Sequence, residues 1–151
     1  MSGIPEEKLA KIREIEFSIN KNLFWICGTI TLAAMFFIAA EFFTRGAFPP
    51  SEVGLFYIGV LFIYSIHKEM LRWLETKKME RQGEYFLYAW IGLALVLYII
   101  NFLTRDYFSY SATGIATGVL KEASMITLEV GVIFLLTRLS KITKLILEKR
   151  S

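Results

Sequence analysis

Cysteine and histidine are almost absent from this chain. A single cysteine, Cys27, cannot close an intramolecular disulfide, and one thiol carries no information about redox compartment. A small buried hydrophobe is the ordinary use of such a residue. A single histidine, His67, excludes multi-histidine metal centres and leaves a haem or quinone site without a foundation. There is also no Cys pair, nucleophile elbow, Gly-rich phosphate loop or His–carboxylate cluster at metal spacing. An enzyme is therefore not expected, and the sequence calls for neither a metal nor a cofactor. Proline is scarce too: Pro5, Pro49 and Pro50 are the only three, and all lie outside the apolar runs, where they would open or stop helices.

Charge is missing in a patterned way. Charged residues make up 21% of the chain and fall in clusters separated by long uncharged runs. Hydrophobic residues make up 55%, with 13 Phe, 7 Tyr and 3 Trp, more apolar ring surface than a small soluble domain can hide. The expected class is an all-α polytopic membrane protein. In that setting the net charge of +3 points to anionic lipid headgroups rather than nucleic acid.

Residues 1–22 are expected to form a cytoplasmic amphipathic helix. Leu9, Ile12, Ile15, Phe17 and Ile19 make an incomplete apolar stripe among Lys8, Lys11, Arg13 and Glu14. A long charged portion, a long apolar run and no small-residue cleavage pattern argue against a signal peptide. Residues 23–137 form the expected transmembrane domain, with spans at about 23–43, 53–74, 85–104 and 116–137. Pro49 and Pro50 separate the first two spans and Gly83 breaks the helix ahead of the third. Residues 138–151 form a basic cytoplasmic tail with helical spacing of Leu139, Ile142, Leu145 and Ile146. The fold expected is an antiparallel four-helix transmembrane bundle with helical extensions at both termini.

Lysine and arginine set the orientation. The N-terminal segment, the middle connection and the tail together hold 14 of them, and the other two connections hold 3. A cell-membrane protein with both termini cytoplasmic follows. Trp25, Trp73 and Trp90 fall near cytoplasmic ends, while Phe48, Tyr107, Phe108 and Tyr110 suit the opposite aromatic belt.

Polar residues inside the spans are the candidate functional groups. Glu129 stands near the middle of the fourth run, where an acidic side chain costs roughly 2.5–3.5 kcal/mol in hydrocarbon. Residues seven apart differ by only about 20° around a helix, so Gly118, Glu122, Met125 and Glu129 share a face, expected to look inward. Gly114 and Gly118 form a small-xxx-small pair, the pattern of helix packing. Cys27, Ala34 and Glu41 align on the first span; Gly54, Tyr57, Leu61 and Tyr64 on the second; Ala94, Tyr98 and Asn101 on the third. Glu41 and Arg45 are spaced as an i,i+4 ion pair, and Glu122 would pair with Lys121 or be solvated.

Two classes of function fit. The first is association in the bilayer, as an accessory subunit or homo-oligomer, with anionic lipid at the basic segments. The second is a small oligomeric proton- or cation-coupled transporter or channel, with Glu129 as the binding group and Glu122, Glu41, Asn101 and Tyr57 along its path. The basic tail and small size also admit a holin-like pore former.

Overall fold

A computed structural model describes residues 6–48, 53–74 and 84–150. Among them are four α-helices: α1 (Glu6–Phe43), α2 (Val53–Leu74), α3 (Glu84–Leu103) and α4 (Val119–Arg150), with a 3₁₀ turn at Tyr107–Ser109. The fold is all-helical, and three helices are long and apolar enough to cross a membrane: α1, α2 and α3. In α4, Lys121, Glu122 and Glu129 interrupt the apolar portion. The proline turn at Pro49 and Pro50, and the connection through Lys77, Lys78, Arg81 and Gly83, lie outside the described residues.

Helix α1 runs unbroken from Glu6 to Phe43, so the amphipathic segment and the first apolar run are one helix. Buried residues recur every three or four positions along each helix, the spacing that puts one stripe toward a common core. They are Cys27, Thr31, Ala34, Ile38 and Glu41 on α1, and Tyr57, Leu61, Tyr64, Lys68 and Leu71 on α2. Phe86, Trp90, Ala94, Leu97 and Asn101 follow on α3, and Val119, Ala123, Ile126 and Val130 on α4. Rings fill the middle: Tyr57 and Trp90 lie 5.4 Å apart between centroids, and Phe24 and Phe86 5.6 Å apart.

Helix α1 packs on α2, α2 on α4, α4 on α3 and α3 on α1, with a further contact between α1 and α4. The chain thus forms two antiparallel hairpins, α1–α2 and α3–α4, laid side by side. One end of the bundle gathers the starts of α1 and α3 with the ends of α2 and α4. There Glu84 pairs with Arg138, Lys144 donates to the Arg72 carbonyl, and Trp73 Nε1 donates to Ser140 Oγ at 3.1 Å. This is the basic end. The extension of α4 beyond Thr137 is held there against the last turn of α2.

Candidate functional site

At the opposite end, α1 and α3 stop in the same way. Residues 40–48 read AEFFTRGAF and residues 100–108 read INFLTRDYF. In each, the amide five residues on reaches back to the first carbonyl of a Schellman closure: Gly46 N–H to Glu41 O at 2.9 Å, and Asp106 N–H to Asn101 O at 2.9 Å. The inner bonds match as well, Arg45 N–H to Phe42 O and Arg105 N–H to Phe102 O, both at 3.1 Å. Thr44 and Thr104 donate to Ala40 O and Ile100 O at 2.6 and 2.8 Å. Both arginines hold left-handed backbone, with φ of 55° and 53°. A side chain there is strained by roughly 1–2 kcal/mol.

The two caps differ in their buried polar residue. Asn101 is satisfied within its own hairpin: its Nδ2 donates to Asp106 Oδ1 at 2.6 Å, and Ser109 Oγ donates to its Oδ1 at 2.9 Å. Glu41 holds the equivalent place on α1, and its partner position is Gly46, which has no side chain to offer. Glu41 is 5% exposed and its Oε2 is buried without a hydrogen bond. Arg45 does not pair with it, contrary to the i,i+4 expectation. The guanidinium instead donates to Tyr110 O at 2.7 Å and Ser111 O at 2.8 Å and lies over the Tyr107 ring, 4.2 Å from its centroid. That docking fastens the first cap to the loop of the second hairpin, as does Gly46, where an added Cβ would meet Thr117 Cγ2 at 3.1 Å.

Glu122 lies in the first turn of α4, the helix that packs on both α1 and α2. At this turn α4 comes close to α2 at Gly54, where a Cβ would meet Ile126 Cδ1 at 3.1 Å and Glu122 Oε1 at 3.4 Å. Glu122 is half-buried, while its neighbour Lys121 points out and makes no ion pair with it. The expected pairing of Glu122 with Lys121 is not formed, and Glu122 keeps part of its exposure. Among the described residues no hydrogen bond or ion pair joins a cation to the Glu41 or Glu122 carboxyl.

Deeper in the bundle, Tyr57 sits against Trp90 and beside Thr31, which is itself engaged with Cys27 O at 2.7 Å. The Tyr57 hydroxyl and Trp90 Nε1 are buried without hydrogen-bond partners. Trp90 is thus a core residue, not part of an interfacial belt, whereas Trp25 and Trp73 are exposed as a belt requires.

Glu129 does not face inward. It is exposed, between exposed Met125, Leu128 and Val132, with no hydrogen bond or ion pair in the described structure. By helical angle it shares the line of Glu122, but the surroundings differ along α4. At Glu122, α2 approaches closely through Gly54. Towards the basic end an apolar groove of about 470 Å³ opens between α2 and α4, lined by Phe62, Ile66, Met70, Trp73, Ile133 and Leu136. Gly114 and Gly118 are not in the helix at all. Their φ values of 81° and 76° place them in the turn before Val119, and no atom lies within 4 Å of where either would carry a Cβ. Of the five polar residues singled out in the sequence, Glu41 is buried at the end of α1 and Glu122 is half-buried at the start of α4. Asn101 is tied to its own loop, Tyr57 lies in the ring layer, and Glu129 points out.

Neither a family model, nor a curated protein, nor a solved structure matches the chain. The contrast between the caps is therefore read from this chain alone. The signal for it was available in the sequence as the repeated phrase F-[FL]-T-R-x-x-F, 60 residues apart. Intra-span spacing by itself does not reveal it.

Proposed function

We propose that this chain is a small integral membrane protein that works by association, as a homo-oligomer or as an accessory subunit of a larger membrane assembly. In this reading α4 is the fourth span, and the basic end with both termini faces the cytoplasm, where anionic lipid suits the lysines and arginines. The observation that carries the reading is Glu129. A carboxyl on an outward apolar face near mid-span costs roughly 2.5–3.5 kcal/mol against lipid. Its own bundle gives it no partner. A polar group or second helix from a neighbouring protein would remove that cost, and polar contacts between spans contribute about 0.6–2 kcal/mol each.

The transport alternative needs its polar residues on one path. Glu129, its intended binding group, lies on the outer face, Asn101 is tied to its own loop and Tyr57 lies in the ring layer. Association is tested by determining the mass of the protein extracted in mild detergent or in native nanodiscs. The wild-type particle is expected to exceed the 17.4 kDa of one chain, and Glu129→Leu is expected to shift it toward the monomer. A strictly monomeric wild type with no co-purifying protein would sink the reading.

A further inference from the structure

Association makes no use of the groove between α2 and α4. Its α2 wall runs from Phe62 through Ile66 and Met70 to Trp73, and Ile133 and Leu136 form its α4 wall. All four residues of the α2 wall are exposed. The helix from Phe62 to Trp73 rises about 16 Å, half of the roughly 30 Å that hydrocarbon occupies. The groove therefore belongs to one leaflet, from the middle of α2 to the basic end. A span from a second copy would call for a face running through both leaflets, whereas an acyl chain lies within one.

The chemistry changes at the basic end of the groove. On α4, Ile133, Thr137, Ser140 and Lys144 follow one another along a single line of the helix. The stripe that is apolar in the groove thus turns polar and then cationic. Contacts cross from it to α2: Trp73 Nε1 donates to Ser140 Oγ at 3.1 Å, Arg72 Nη1 donates to Thr137 O at 3.1 Å, and Lys144 donates to the Arg72 carbonyl. Arg72 also pairs with Glu69. With the half-buried Lys141, three cations stand at this mouth against one acid. A slot of one-leaflet length, an exposed indole on its rim and an excess of positive charge at its end together complement an anionic phospholipid. A zwitterionic lipid could fill the slot but would leave the charge unmatched.

We propose that the groove holds one acyl chain of an anionic phospholipid, with the lipid phosphate at Lys144, Lys141 and Arg72 beside Trp73. The inference rests on the reading that the basic end lies at the cytoplasmic membrane surface, and it does not require association. The groove is built within one chain, and its α4 wall starts at Ile133, one turn past Glu129. Because α2 and α4 both supply the mouth, the bound lipid fastens the last turn of α2 to the extension of α4.

Native mass spectrometry and thermal unfolding of the full chain in detergent test this, with phosphatidylglycerol, phosphatidylcholine and glycerol 3-phosphate as probes. Wild type should retain phosphatidylglycerol in preference to phosphatidylcholine, and its Tm should rise more with the anionic lipid. Lys144→Gln should cut that preference by roughly fivefold, the share of one cation near a charged headgroup. Ile66→Trp fills the groove from an exposed position and should abolish the preference; if it fails to fold, Met70→Trp serves in its place. Equal binding of the two lipids by wild type overturns the proposal. So does a preference that survives groove filling, since the lipid would then sit on the basic surface at large. A Tm rise of the same size with glycerol 3-phosphate also overturns it, because the mouth would be an anion site that needs no chain. A wild-type oligomer that Ile66→Trp reduces to the monomer does the same, because a second copy would occupy the groove. Glu129→Leu separates this site from association. It should keep the lipid preference even as the particle moves toward the monomer, and a preference lost with it would mean that an interface between chains holds the lipid, against the proposal. A monomeric wild type that still prefers phosphatidylglycerol supports the lipid site and sinks association alone.

Discussion

The ends of α1 and α3 use one backbone solution and reach opposite outcomes for the polar side chain beneath it. Both close with the same pair of Schellman bonds, the same threonine back-bond and an arginine in left-handed conformation. In the second cap, Asp106 supplies the partner for Asn101, and the hairpin satisfies itself. In the first cap, Gly46 gives up that partner and gains close contact with Thr117. Glu41 Oε2 is then left buried without a hydrogen bond. A local motif fixes how a helix ends, then, but whether its buried polar group is satisfied depends on one neighbouring residue.

Exchanging features between the caps sharpens the contrast. The largest effect is expected from Asn101→Glu, which puts the first cap's acid beside Asp106 and removes the donor that Asp106 uses. A loss on the order of 3 kcal/mol should follow, visible as a lower denaturation midpoint and reduced folded yield. Gly46→Asp makes the reverse exchange and should cost about 2 kcal/mol. Its Cβ would crowd Thr117 Cγ2 at 3.1 Å and its carboxylate would add a second acid near Glu41. A stabilised Gly46→Asp protein would show that the first cap can close locally, and the contrast would fail. The smallest effect belongs to Arg105→Gly. Arg105 is exposed and strained at φ 53°, so glycine should raise stability by up to about 1 kcal/mol. The same change at Arg45 should be destabilising instead, because the bonds to Tyr110 and Ser111 are lost with the side chain. Thermal denaturation of the two variants side by side reads the difference.

Much of the bundle was legible from spacing. Cys27, Ala34 and Glu41 on α1, and Gly54, Tyr57, Leu61 and Tyr64 on α2, are all buried as their alignment implies. On α3 the alignment holds for Ala94 and Asn101 but not for Tyr98, which is exposed and shares a hydrogen bond with Ser124 at 2.8 Å. On α4 the choice of face failed. The buried stripe runs through Val119, Ala123, Ile126 and Val130, next to the line of Glu122 and Glu129 rather than along it. The expectation rested on the cost of an acid in lipid, which shows that the acid needs a partner but not on which side the partner lies. Gly114 and Gly118 were misplaced because small residues spaced four apart serve helix contacts and tight turns equally well. Positive φ at both decides for the turn.

Composition and periodicity by themselves determined that this chain is helical, that its apolar runs are of membrane-crossing length, and that its basic residues gather between alternate runs. Those are properties of single segments, set by hydrophobic transfer and by the 3.6-residue repeat. The tertiary structure alone decided which helices are neighbours, and through that which acid is covered and which is bare. Glu122 and Glu129 stand at the same angle on one helix. A glycine on α2 lets that helix pack close to the first, while the second stays exposed, because covering a side chain is a property of the facing surface as much as of the helix that carries it.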